Sequence, residues 1–290
     1  MVARTEEEPA THGHAISSEK SVEWLAAWES ELQSLEDNGT WIIEDLPEGS
    51  TTIGCCWIFN RKEDGRYNAR LVAKGYAQKP AIDFYETFAL VAKFTTLRSL
   101  LALAAENDWE IESMDMKTAF LHGALVEVSY MDIPEGLKQE TRKGTGDSPK
   151  QACHLIKTIY GLKEAPRAWY GKINLIFLEC GFNRSQEDHS LYVHGTWRLI
   201  ILLYLDDIVL APSVLEDTSW IKKTLRAEFE IMDLGELPSF IGVQITRDCC
   251  RRTLVVSQSS YISRLLEDHG MGWCAAVATP VETGTRLQQP

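Results

Sequence analysis

Residues 199–210 read LIILLYLDDIVL, an apolar run cut by two adjacent aspartates, Asp206 and Asp207. Seven apolar or aromatic residues in a row are too few to cross a membrane and too many for a strand with one wet face, so they predict a buried strand. The same character returns in IVLA, which predicts a hairpin with both carboxyls at its tip. Taken alone, an Asp-Asp tip is ordinary turn chemistry. It gains meaning if another acid arrives at the same place.

Asp115 is such an acid. A helix is expected from an N-cap at Thr95 or Thr96 through LRSLLALAAEN, and the stretch from Trp109 to Asp115 then alternates as a strand ending on the carboxyl. Upstream, residues 1 to about 15 read as a solvated acidic tail. A first helix is expected from Val22 to Asp37, closed by Asn38-Gly39. β-rich runs follow at Trp41–Ile43, Ile53–Phe59 and Tyr67–Tyr76, the last two joined by the basic turn RKEDGR. Arg70 and Lys74 fall four residues apart on one face of that strand, with Lys62 in the turn. Leu137–Pro149 is polar and reads as a loop. A helix opens at Pro166 and closes at Gly181, another spans Glu216–Phe229, strands are expected at Phe240–Ile245 and Leu254–Val256, and a last helix at Tyr261–His269. Strands arriving outside βαβ order, with no internal repeat, favour an α+β fold.

Charge first argues against a polyanionic partner, because the formal net charge is -13. Its distribution changes that reading. Residues 1–50 hold 12 acids and two bases, leaving 30 acids against 27 bases beyond them, and residues 51–100 carry eight bases against four acids. The basic region is therefore local and coincides with the expected hairpin. Seven cysteines with no Cys-x-x-Cys spacing suggest neither a zinc site nor a disulfide framework. With no signal-peptide pattern and no membrane span, an intracellular protein of the cytoplasm or nucleus is expected.

Phosphoryl transfer asks for charge neutralisation more than covalent help, commonly from two magnesium ions about 4 Å apart held by carboxylates. Asp115, Asp206 and Asp207 are the candidates for that role. The segments NGTWIIEDLPEG, RYNARLVAKGYAQ, IDFYETFALVAKFTTLR, MDMKTAFLHGAL, YMDIPEG, IYGLKEAPRAWY, YLDDIVL, DLGELPSFIGVQI and SQSSYISRLL stand in one order along the chain. In that order they resemble the copia-type reverse transcriptase family from about Ala15 to the C-terminus.

The resemblance implies an RNA-directed DNA polymerase with a right-hand fold. Fingers would lie near residues 40–92 and 122–160, the palm near 93–121 and 161–246, and the start of a thumb near 247–290. Asp115 and Asp206 would bind both magnesium ions, with manganese as a substitute and Asp207 beside them. Phe120 would sit beneath the incoming sugar and exclude a 2′-hydroxyl; its other reading is an aromatic core residue. Arg70, Lys74 and Lys62 would meet the triphosphate, or else form a solvated basic face. Gly161, Lys163 and Pro166 would lie beside the template, and Phe240 and Gly242 in a hairpin gripping the primer. Implied partners are a primed RNA or DNA template, dNTPs, and integrase and RNase H regions of a longer polyprotein.

Three positions and one loop length depart from the family pattern. Asn68 and Met232 each replace a Lys, the second a candidate proton donor to pyrophosphate. Glu164 stands where Gln is usual, and the hairpin between Trp57 and Tyr67 is about five residues shorter. A folded but non-polymerising retroelement remnant is the open alternative. A two-metal nuclease or phosphatase is the other, which would need neither Phe120 nor the GLKEAP segment.

Overall fold

The computed structural model describes residues 8–62, 65–78, 92–137, 150–195, 199–213, 218–248 and 250–277. Most of the polar loop after Leu137, and residues 82–91 of the IDFYETFALV segment, lie outside them. The chain is a mixed α+β structure with several antiparallel sheets.

At its centre six antiparallel strands run in the order Ile231–Glu236, Glu112–Met116, Asp207–Pro212, Leu199–Tyr204, Leu191–His194 and Asn183–Arg184. Both faces are covered, which explains the unbroken apolar run. Ile201, Leu203, Ile208 and Leu210 face the layer holding Trp169, Ile173 and Phe177 of helix Ala165–Glu179 and Ile221 and Leu225 of helix Ser219–Glu228. The alternate residues Leu202, Val209 and Ala211 face Leu97, Leu100 and Leu101 of helix Phe94–Asn107. Each fully buried Leu or Ile contributes about 1.5–3 kcal/mol, so the strands are held from both sides.

A second core gathers Trp24 and Leu35 of helix Ser21–Asp37 with a two-stranded hairpin, Cys55–Arg61 against Tyr67–Ala73, and a sheet made of Trp41–Asp45, Gln151–Lys157, Ala124–Met131 and Thr52–Ile53. Trp24 meets Phe59 and Tyr67 of the hairpin edge-on. A third sheet joins Ser239–Phe240, Val243–Asp248 and Thr253–Ser257, followed by helix Ser259–Asp268.

Four local expectations are corrected. Residues His12–Ser17 form a short helix with Ala15 buried, so the solvated reading of the leader fails before residue 15. Helix Phe94–Asn107 starts two or three residues early, with Lys93 at the N-cap and no cap from its own side chain; Asp188 instead accepts the Lys93 N–H at 3.0 Å and the Thr96 hydroxyl at 2.5 Å. The basic strand stops at Ala73, where Lys74 turns and donates its N–H to the Gly54 carbonyl. The expected strand Phe240–Ile245 is a hairpin, since Ile241 and Gly242 both adopt positive φ, 50° and 72°.

Candidate active site

The hairpin tip is assembled by backbone geometry before any carboxyl is considered. Tyr204 pairs with Asp207, leaving Leu205 and Asp206 as the two turn residues, with Leu205 at φ 55°. A branched aliphatic at positive φ is strained and needs support. The Trp169 indole N–H donates to the Leu205 carbonyl at 2.8 Å, and the Met116 N–H donates to the Asp206 carbonyl at 3.0 Å. Trp169, buried in the helix beneath, therefore fixes the turn from below.

Register brings the third acid in. Asp207 stands opposite Asp115, and Met232 stands opposite Asp115 on its other side. Directly paired residues of antiparallel strands point to one face, so Asp115, Asp207 and Met232 share a surface. Together with Asp206 they line a cleft of about 390 Å³ between the sheet and the basic hairpin. Its other walls include Lys62, Arg66, Asn68 and Arg70 from the hairpin, Tyr160, and Glu31 from helix Ser21–Asp37.

Electrostatics reports the crowding of the acids. Burial, then the charges of Asp206 and Asp115, push the Asp207 carboxyl up to about 6. Asp206 is raised by burial and by Asp115, while a backbone hydrogen bond and Arg70 pull the other way. Buried carboxyls that neighbouring acids push upward favour the approach of a cation. Among the described residues no group of three or more His, Cys, Asp or Glu side chains is placed to hold a metal ion, the three aspartates included. Magnesium asks for fewer protein ligands than that, since it retains several waters and takes phosphate oxygens as further ligands.

The remaining expected residues divide. Arg70 and Lys62 line the cleft, and the Arg70 guanidinium lies 4.7 Å from the centre of the Tyr160 ring. Lys74 does not: beyond the strand end its side chain lies against Gly54, near Asp132. Phe120 is half-buried between the first two cores and is not among the cleft's lining residues. Its ring meets Tyr160 edge-on at 5.2 Å, one side chain back from the cavity.

Gly161, at φ 88°, lets two backbones touch, since a Cβ there would come within 2.1 Å of the Ala73 carbonyl oxygen. Gln78 then ties the next residues: its side chain donates to the buried Glu164 carboxylate at 3.0 and 3.2 Å and accepts from the Lys163 N–H, while the Lys163 ammonium donates to its carbonyl. Glu164 is thus turned inward. Pro166 occupies the first turn of its helix as expected. Phe240 is buried, and Gly242 lines a separate groove of about 860 Å³ against helix Ser259–Asp268. Sequence reasoning missed Glu31, Arg66 and Trp169 as parts of the site. Arg66 lay in the quoted basic turn and Trp169 in the quoted segment IYGLKEAPRAWY, whereas nothing local marks Glu31.

Comparison with known proteins bears directly on this arrangement. Residues 38–283 match the family described as "Reverse transcriptase (RNA-dependent DNA polymerase)". The chain is 39% identical to the "Retrovirus-related Pol polyprotein from transposon RE2" of Arabidopsis thaliana, over 97% of this chain and 19% of that protein. To the corresponding polyprotein from transposon TNT 1-94 of Nicotiana tabacum it is 36% identical, over 97% of this chain and 21% of that one. The "Truncated transposon Ty1-A Gag-Pol polyprotein" of Saccharomyces cerevisiae is 27% identical over 81% of this chain and 20% of its own length. The chain spans about a fifth of the length of these relatives. It belongs to the reverse transcriptase family, in the branch formed by the Pol polyproteins of copia-type retrotransposons.

Proposed function

We propose that this chain carries out template-directed transfer of dNMP to a primer 3′-hydroxyl, as the polymerase part of a copia-type Pol polyprotein. The observation that carries the reading is the register setting Asp207 opposite Asp115, with Asp206 beside them in one cleft against a basic hairpin. In this reading residues 40–92 and 122–160 are fingers, 93–121 and 161–246 are palm, and 247–290 begin a thumb. The described hairpin and central sheet fit that division.

Magnesium held by Asp115, Asp206 and Asp207 would neutralise charge on the triphosphate and make the primer hydroxyl a better nucleophile. The protein's own task is placement. Lys62 and Arg70 receive the triphosphate, with Arg70 kept flat by the Tyr160 ring. Phe120 backs the Tyr160 ring, and the position it sets for that ring restricts the space at the sugar. Gly161 and the Gln78–Glu164 pair hold the hairpin base against the helix that begins at Pro166, next to the template, while the Ile241–Gly242 turn meets the primer.

Primer extension on poly(rA)/oligo(dT) tests the reading. The unmodified chain should extend, and Asp206→Asn should abolish extension with unchanged thermal stability or a gain. Extension by the Asn variant would overturn the assignment. A second reading, a remnant that binds nucleic acid without polymerising, is favoured by Met232, an apolar side chain beside Asp115 where a proton donor would stand. Primer–template binding without extension by the unmodified chain would select it.

A further inference from the structure

One carboxyl in the cleft is given no task by the reading above. Glu31 comes from the middle of helix Ser21–Asp37, outside the acidic motifs, yet lines the same cavity as the three aspartates. It is half-buried, and its Oε1 accepts the N–H of Leu71, the residue after Arg70, at 3.4 Å. Burial pushes its carboxyl up to about 7, against the pull of that N–H and of the Arg70 charge. Arg70 packs over the Tyr160 ring, and Tyr160 in turn feels Arg70, Glu31, Asp206 and Asp115. Arg70 thus shares one cleft with an acid of the helix and acids of the sheet, and its charge acts on both.

We propose that Glu31 is a positioning residue that sets the affinity for the incoming dNTP by competing with the triphosphate for Arg70. The inference rests on the assignment of Arg70 to the triphosphate. Two effects act with one sign. An ionised Glu31 partly neutralises the Arg70 guanidinium, and it also adds a like charge to the cavity a polyanion must enter. Removing the charge frees the cation and removes the repulsion, so nucleotide binding tightens. A purely structural acid would do the reverse, since its loss would let the hairpin drift.

Glu31→Gln is the informative variant, because the amide oxygen still accepts the Leu71 N–H and only the charge is lost. The measurement is the dissociation constant of the next dNTP on a dideoxy-terminated primer over an RNA template, with magnesium, at about pH 8, above the raised pKa of Glu31. Blocking the primer end makes this a binding readout without turnover. Glu31→Gln is expected to bind dNTP on the order of 3- to 5-fold more tightly, the size of one partly exposed charge pair. Arg70→Ala should bind more weakly, and adding Glu31→Gln in that background should tighten binding clearly less than it does with Arg70 present, because only the direct repulsion is left to remove. No effect of Arg70→Ala, or no ternary complex with the unmodified chain, would overturn the triphosphate assignment and this inference with it. Weaker binding by Arg70→Ala with unchanged or weakened binding by Glu31→Gln would overturn the inference alone. So would additivity in the double variant, or a large drop in melting temperature from Glu31→Gln.

Discussion

Substituting Gly161 by Ala separates a structural glycine from a template contact. The added Cβ would lie 2.1 Å from the Ala73 carbonyl oxygen, 2.7 Å from Val72 Cγ1 and 3.1 Å from the Ala73 carbonyl carbon. Two of these atoms are backbone, so no rotamer change relieves the overlap. The position also has φ 88°, where a side chain costs about 1–2 kcal/mol. Parting the backbones breaks the 2.8 Å bond from the Ala73 N–H to the Tyr160 carbonyl, worth about 1 kcal/mol more. The expected loss is about 3 kcal/mol, or roughly 5 °C in melting temperature for a chain of this size. Gly171, exposed within helix Ala165–Glu179 with nothing near its Cβ direction, supplies the opposite control. Gly171→Ala should stabilise by about 0.5–1 kcal/mol. Urea and thermal unfolding read both variants, and primer–template affinity is measured under folded conditions. A Gly161→Ala chain as stable as its parent would refute the argument and return Gly161 to a role in nucleic-acid contact.

Asp207→Asn should abolish extension while stabilising the fold near neutral pH. Its carboxyl is raised to about 6 in the folded chain against about 3.9 unfolded, so folding is disfavoured progressively as pH rises through that window. Allowing for solvent screening, the variant should gain about 1–2 kcal/mol above pH 6 and nothing below pH 4; equal stability throughout would show that the acid is not strained. Phe120→Ala should raise ribonucleotide relative to deoxyribonucleotide incorporation, and unchanged sugar selectivity with a lower melting temperature would return the ring to the core. Met232→Lys places an ammonium beside Asp115 and should speed single-nucleotide addition by at least about 10-fold. An unchanged rate would show that proton donation there does not limit the reaction.

The central sheet and its acids were legible because two strong local signals coincide: an apolar run too long for a wet face, and aspartates ending two strands. The hairpin at Asp206-Asp207 and the helix at Pro166 followed from the same kind of signal. What escaped depends on tertiary choices. Thr96 has good capping chemistry, but Asp188 from a distant turn accepts the Lys93 N–H, and the helix begins there with Thr96 already inside it. Lys74 keeps the right spacing from Arg70, yet the strand ends one residue short of it when Lys74 bonds Gly54. Glu31 looks like any polar residue on an amphipathic helix until that helix packs on the hairpin. Trp169 reads as core, and its N–H matters only because Leu205 turns through positive φ above it.

The contacts at the root of the basic hairpin also fix its mechanics. Ala73 is latched to Tyr160 through the main chain, Gln78 is locked onto Glu164 and Lys163, and Trp24 shores the hairpin at Phe59 and Tyr67. Such a hairpin behaves as a beam clamped at one end and propped along one side, and a beam so held deflects little. Arg70 is therefore presented from a nearly fixed height above the aspartates instead of folding down over whatever occupies the cleft.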